Sequence, residues 1–260
     1  MNLRGSCILL LFSFSTLSLH AALIDLGTVS SFAVLGAETV TNTGNTLISG
    51  NLGVSPGTAI TGFPPGVVIN GTIHSADAVA AQAQTDALAA YNSLSGYGPV
   101  QDLTGLDLGG MTLTPGVYGF DTTAQLTGTL SLNMLGEPDS LFIFLIGTAL
   151  TTASNSSVVP INGEDCCDVY WQIGSSATLG TGTEFRGNIL AFTSITLNTG
   201  ADITDGRALA LNGAVTLDTN NISYAFCDTG EVPEPRSMFL LGAGLFGLLL
   251  LGRTSRKRTG

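Results

Sequence analysis

A repeat of about twenty residues governs what this chain can become. Ala177-Thr178-Leu179-Gly180-Thr181, Ile195-Thr196-Leu197-Asn198-Thr199 and Val215-Thr216-Leu217-Asp218-Thr219 align at spacings of 18 and 20 residues. Between them, Gly187-Asn188-Ile189-Leu190-Ala191 aligns with Gly206-Arg207-Ala208-Leu209-Ala210 at a spacing of 19. A unit this short cannot bury an apolar face alone, so successive copies must stack as the coils of a solenoid. Side chains alternate along a strand, which turns Leu179, Leu197 and Leu217 inward and Thr178, Thr196 and Thr216 outward together. Stacked coils lie about 4.7–4.9 Å apart, so those threonines form a ladder at that spacing. Thr181, Thr199 and Thr219 repeat as well and are expected at corners.

The rest of the middle fits one all-β domain over residues 23–231 with a single helix. Leu141-Phe142-Ile143-Phe144-Leu145-Ile146 is an unbroken apolar run and reads as a strand covered on both faces. A helix is expected from an N-cap at Ser75 to about Leu94, before Gly96 and Pro99. Val79, Ala80, Ala83, Ala87, Leu88, Tyr91 and Leu94 recur at three and four residues and form its apolar stripe. Its many alanines permit close approach to a sheet, whose flank it would cover.

Charge narrows the function. Residues 23–231 contain two cations, Arg186 and Arg207, against 18 Asp and Glu, so that span carries 2 − 18 = −16. No basic footprint for nucleic acid or for an anionic membrane surface exists there. Carboxylates that might cleave an acidic polysaccharide occur as Asp102 with Asp107, Glu164 with Asp165, and Asp202 with Asp205. Two arginines are too few to clamp such a polyanion, so these carboxylates read as loop and surface residues. Outside the leader, His74 is the sole histidine, and no Gly-x-Ser-x-Gly elbow is present. Neither a phosphate-cradling Gly loop with its Lys nor a nonapeptide calcium repeat occurs. No enzyme activity, metal or cofactor is expected.

Both ends read as addresses. Residues 1–22 have the form of a secretory signal: Arg4, the apolar run Cys7 to Leu19, then Ala21 and Ala22. Residues 232–260 begin with Val232-Pro233-Glu234-Pro235, continue through an apolar stretch at 237–252 and end in Arg253-Thr254-Ser255-Arg256-Lys257-Arg258. The order Pro233-Glu234-Pro235, apolar helix, basic tail resembles the PEP-CTERM sorting signal of Gram-negative bacteria. That resemblance implies recognition by an exosortase and release to the cell surface or the exopolysaccharide matrix. Residues 237–252 would then be a transient inner-membrane anchor, with the basic cluster cytoplasmic. An exported domain can oxidise its thiols, and Cys227 could pair with Cys166 or Cys167.

Threonine is what the middle has in abundance, with 29 in residues 23–231. Each presents one hydroxyl and one methyl on a stiff χ1. A flat, nearly uncharged ladder of them can order water in a regular pattern at a spacing similar to repeats on ice. Four blocks carry a resemblance over nearly all of 23–226: Leu26-Gly27-Thr28-Val29-Ser30-Ser31-Phe32-Ala33-Val34-Leu35; residues 54–66, Val54 to Gly66; residues 171–180, Trp171 to Gly180; and residues 206–219, Gly206 to Thr219. In these the chain resembles the DUF3494 ice-binding, or antifreeze, protein family. The resemblance implies an all-β, discontinuous right-handed β-solenoid of triangular section with one long α-helix alongside. It implies adsorption to ice through one flat face, inhibiting ice growth or recrystallisation, by a monomer. Thr58-Ala59-Ile60-Thr61 fits the Thr-Ala/Gly-x-Thr/Asn motif of some members, whereas Thr199-Gly200-Ala201-Asp202 departs from it. The expected face holds Thr41, Thr43, Thr58, Thr61, Thr178, Thr196, Asn198, Thr216 and Asp218. A cell-surface adhesin or matrix protein on the same solenoid is the alternative. It would need exposed aromatics for sugar stacking, and Trp171 is expected to be buried.

Overall fold

The computed structural model describes residues 24–99, 101–137, 140–163 and 168–224. The expected signal segment, the sorting segment and Cys166, Cys167 and Cys227 lie outside the described residues. Three parallel sheets of nine, seven and eight strands, here A, B and C, make the three faces of a solenoid. Each coil gives a strand to A, then B, then C. The strands Asn188–Ala191, Ile195–Leu197 and Asp202–Thr204 are one such turn.

The coils do not stack in chain order. Two coils form over residues 32–69, after which a helix, α1 (Ala78–Ser95), carries the chain along the solenoid. The remaining coils then return, so that the last abuts the first. Val34 pairs with Ala208 in sheet A, Thr41 with Thr216 in B and Ile48 with Ile222 in C. The sequence repeat is also the structural register: Thr178 pairs with Thr196, and Thr196 with Thr216.

Period-2 alternation fills the interior. Leu179, Leu197 and Leu217 are buried, as the repeat requires. An aromatic stack runs across three coils, from Tyr118 to Phe144 at 5.4 Å, Phe144 to Trp171 at 3.9 Å and, within the third coil, Trp171 to Phe185 at 4.9 Å between ring centroids. The turn out of sheet B needs a left-handed residue, supplied by Gly182 (φ +67°), Gly200 (φ +68°) and Thr219 (φ +55°). The left-handed threonine is the strained member of the series, since its Cβ crowds the following carbonyl there.

A second apolar layer lies outside sheet A. Leu35, Ile143, Tyr170, Leu190 and Leu209 face Ala83, Ala87, Ala90 and Leu94 of α1. The small alanines bring the helix close to the sheet. Leu141–Ile146 is accordingly covered on both sides, with Phe142 and Phe144 in the solenoid core and Ile143 under the helix. The helix start differs from the expectation. Ser75 ends the strand Ile73–Ser75, and its hydroxyl donates to Thr58 O at 2.8 Å. Asp77 is the cap, accepting the Ala80 N–H at 2.8 Å. Val79 and Leu88 are exposed, because the helix buries the narrower alanine stripe.

Candidate binding face

The three faces differ in what they offer a ligand. Sheet A is covered by α1 and the segment Ile24 to Val29. Sheet C is open but carries charge: Arg186 forms an ion pair with Asp205, and Asp202 accepts from the Asn221 side-chain amide at 3.0 Å. Sheet B is open and nearly uncharged. Its strands are, in spatial order, Ala124–Leu126, Leu150–Thr152, Ala177–Leu179, Ile195–Leu197, Val215–Asp218, Thr39–Thr43 and Ala59–Thr61. Asp218 is the one charged residue in these strands.

Register brings one outward residue from each strand into a single row: Gln125, Thr151, Thr178, Thr196, Thr216, Thr41 and Thr61. Neighbours are about 4.8 Å apart across such a ladder, so the row runs about 29 Å. Thr41 Oγ1 donates to Thr216 Oγ1 at 3.5 Å. The hydroxyls of Thr61, Thr151, Thr178 and Thr196 make no hydrogen bond among the described residues and are left to solvent. Each threonine is β-branched and therefore stiff at χ1.

A second row stands two residues further along the strands. Thr43 pairs with Asp218 there, and Asn198 occupies the same place after Thr196. The Asp218 carboxylate accepts the Thr199 hydroxyl at 2.5 Å and the Thr219 hydroxyl at 3.0 Å. It therefore holds the corner as much as it faces water. Thr199 and Thr219 lie at that corner, as the repeat suggested. On the other side of the main row Thr39 pairs with Ala59.

Eight of the nine expected positions thus fall on the two rows. Thr58 does not: it precedes the strand Ala59–Thr61, on the opposite parity from Thr61, and its carbonyl is used by Ser75. Thr151, Gln125 and Thr39 escaped the sequence reading. The step from Thr151 to Thr178 is 27 residues, because the connection after Leu150–Thr152 is longer and breaks the period. Leu150-Thr151-Thr152 still shows an apolar-Thr pattern that could have marked it.

Glu164 and Asp165 lie outside the described residues; carboxylates of the other two acidic pairs hold turns. Asp107 accepts from the Gly109 N–H at 2.7 Å and from the Thr127 hydroxyl and N–H. Burial alone would raise its pKa, but these bonds to the charged form outweigh it and hold the carboxyl below its ordinary range. Asp102 is likewise held below its ordinary range, by the Thr104 side chain first and by the Thr104 N–H, which it accepts at 2.8 Å. Asp205 is engaged by Arg186. His74 Nδ1 lies 2.7 Å from Asp77 Oδ2 at the helix start. Among the described residues no three His, Cys, Asp or Glu side chains gather into a metal-binding group.

Fold and face together define a β-solenoid that presents a hydroxylated, nearly neutral surface, the outline of a binding protein. The family model described as "Ice-binding-like" matches residues 34–223, and the chain belongs to that family. A model of the PEP-CTERM protein-sorting motif matches residues 231–257. An ice-binding protein of Nostoc sp. (strain HG1) is 60% identical over 247 residues, covering 93% of this chain and 91% of the relative. The crystal structure of an ice-binding protein from an Antarctic biological consortium has a TM-score of 0.72 at 41% identity, covering 80% of this chain and 95% of its own. The DUF3494 domain of a Shewanella frigidimarina ice-binding protein has a TM-score of 0.70 at 33% identity, covering 78% of this chain and 97% of its own. These relatives are binding proteins, in agreement with the expectation of no enzyme activity.

Proposed function

We propose that residues 23–231 form an exported domain that adsorbs to ice through sheet B and so inhibits ice growth or recrystallisation. The observation that carries this reading is the in-register row from Gln125 to Thr61, six threonines and one glutamine on one open face. The row contains no charge, so no strongly held hydration shell has to be displaced where it meets the ice lattice. Many weak contacts form at once on a rigid plane, with little ordering cost on binding. The main row carries the adsorption; Thr43, Asn198 and Asp218 flank it, and Thr58 stands outside.

The ends give the route. Residues 1–22 direct export and are removed, and residues 232–260 serve an exosortase that acts at Pro233, Glu234 and Pro235. Residues 237–252 hold the chain at the inner membrane until then, and the domain reaches the cell surface or its polysaccharide matrix as a monomer. The match of the sorting motif supports export and surface placement. An adhesin on this scaffold would need sugar-stacking aromatics, and the single Trp171 is fully buried.

The test is a recrystallisation assay on the purified domain. Polycrystalline ice held just below melting should keep its small grains in the presence of the domain. Coarsening equal to that in buffer, with the domain folded by circular dichroism, would overturn the proposal.

A further inference from the structure

The two ends of the solenoid are finished differently. At the end where the strand Ala124–Leu126 is outermost in sheet B, the chain folds back over its own edge. Leu103, Leu108 and Leu113 are buried there and close the interior. Asp107 pairs with Gln125 beyond that strand, and the Leu108 N–H donates to Gln125 O at 2.9 Å. Asp102 puts a carboxylate on the outermost strand of sheet A. Covering segments and charge are the means by which strand edges are kept from pairing with other chains.

The other end has neither. Its outermost strands are Ile73–Ser75 in sheet A, Ala59–Thr61 in B and Val67–Ile69 in C. Ile73, Ile60 and Val68 pair with Leu52, Val40 and Ile48, which are fully buried, so all three point into the solenoid. No further coil covers them among the described residues: Ile73 is 44% exposed, and Ile60 and Val68 are only partly buried. Phe63, in the connection from B to C, packs on part of the opening. On the outer side of sheet C, Val67 and Ile69 are 51% and 40% exposed, and Val67 stands beside the exposed Leu47. Between Glu38 and Asp77 there is no Asp, Glu, Lys or Arg, the longest such stretch in a span that carries 2 − 18 = −16. Repeat arrays ordinarily end in a polar cap, and this one ends in an open apolar interior.

We infer that this end is the contact surface for a second copy of the chain, and that the domain, delivered as a monomer, pairs through it. Charge selects the surface: two copies of so acidic a body repel one another wherever else they meet, and here they do not. Shape selects the partner, because three open strand edges on the sides of a triangle are matched by another such set. A two-fold axis through the middle of the sheet B edge lays B against B and each A edge against a C edge, with the strands antiparallel. Val67 and Ile69 of each copy then meet the edge that carries Ile73 in the other. Head-to-tail stacking would need an open edge at the covered end, so association stops at two. The consequence for ice rests on the reading above. Thr61 ends the row on sheet B, and the two-fold axis sets it beside Thr61 of the second copy. The two rows become one of fourteen positions, about 62 Å long.

Sedimentation velocity on residues 23–231, which contain the whole described fold, tests the contact without ice. From low micromolar to near-millimolar concentration the sedimenting mass should double, and no larger species should form. Val67→Glu, at an exposed outward position, should keep the parent's circular dichroism and melting temperature yet stay monomeric. Leu106→Glu, exposed at the covered end, should pair as the parent does. A parent that stays monomeric, a Val67→Glu variant that still pairs, a Leu106→Glu variant that does not, or a ladder of larger species would each overturn the inference. The joined face is read separately by recrystallisation, at concentrations where the parent is paired. The parent should act at a concentration about tenfold or more below that of Val67→Glu. Equal activity of the two would overturn the joined face alone. Inactivity of both would overturn the ice reading and leave the pairing standing on the sedimentation result.

Discussion

Replacing Thr196 by Tyr puts a ring at the centre of the row, fourth of its seven positions. Thr196 points outward between Ile195 and Leu197, both buried, so the ring has to stand proud of the face. The six threonine methyls, at about 0.8 kcal/mol for each apolar group removed from water, could together contribute on the order of 5 kcal/mol to adsorption. A central protrusion keeps at least one side of the row off the ice and removes about 2–3 kcal/mol of that. By the tenfold-per-1.4 kcal/mol rule the concentration needed to stop recrystallisation rises roughly 30- to 150-fold. The fold should hardly notice, because an outward strand position accepts an aromatic and such changes stay within about 0.5 kcal/mol. For a domain of this size that is a melting-point change of about 2 °C or less. Thr204→Tyr, exposed at the end of the sheet C strand Asp202–Thr204, is the control and should keep full activity. The reasoning is refuted if Thr196→Tyr blocks recrystallisation as well as the parent, or if Thr204→Tyr is equally damaging.

Thr151→Tyr should also weaken ice activity, but less than Thr196→Tyr, because it stands next to the end of the row and leaves five positions on one side of it; a dilution series in the same assay ranks the two. Arg207→Met leaves Ser30 O and Asn188 Oδ1 without their buried donor. Its cost should be about 2–4 kcal/mol, a fall of roughly 5–15 °C in melting temperature by calorimetry. Acid should destabilise the domain through Asp86 and Asp107. Burial raises both, but bonds to Thr28 and Gln82 in one case and to Thr127 and Gly109 in the other hold them below their ordinary values. A depressed carboxyl contributes stability above its unfolded pKa, near 4, that is lost as pH falls through the folded value. Denaturant midpoints should therefore hold steady from about pH 7 to 5 and decline below about pH 4. A midpoint unchanged at about pH 3 would contradict this.

The repeat made the last coils legible because each differs from the next by substitutions at unchanged spacing. Leu179, Leu197 and Leu217 sit inside, and Thr178, Thr196 and Thr216 in one row, for that reason alone. The period fails where a connection lengthens, and Thr151 was lost there. Gln125 was lost because it is not a threonine, and Thr39 because neither repeat reaches it. Thr58 was included on a motif, yet parity along the strand excludes it, since residues three apart in a strand face opposite ways. The helix was visible as a run of alanines, but its cap was not. Ser75 and Asp77 are both good caps, and only the extent of the preceding strand, with the bond from Ser75 to Thr58, leaves the task to Asp77. Nothing in the repeat itself discloses that the first coil closes against the last. That contact rests on long-range pairing, which no local pattern encodes.

This closure has a functional consequence. Thr216 and Thr41, adjacent in the row, are 175 residues apart in sequence. The row is continuous only while the seam between the last coil and the first is shut. Opening it would leave five positions, Gln125 to Thr216, on one body and two, Thr41 and Thr61, on another. The Arg207 bonds to Ser30, 177 residues away, span the same seam and keep it shut from the opposite edge. Pairing across a long loop is where local opening is cheapest, because the entropy of closing that loop is recovered. In Arg207→Met the amides of Thr39–Thr43 should then exchange faster, relative to those of Ile195–Leu197, than in the parent. Ice activity should fall with them, although no residue of sheet B has changed. Equal acceleration in both strands would mean that Arg207 supports the domain as a whole, and that the seam is no weaker than any other pair of coils.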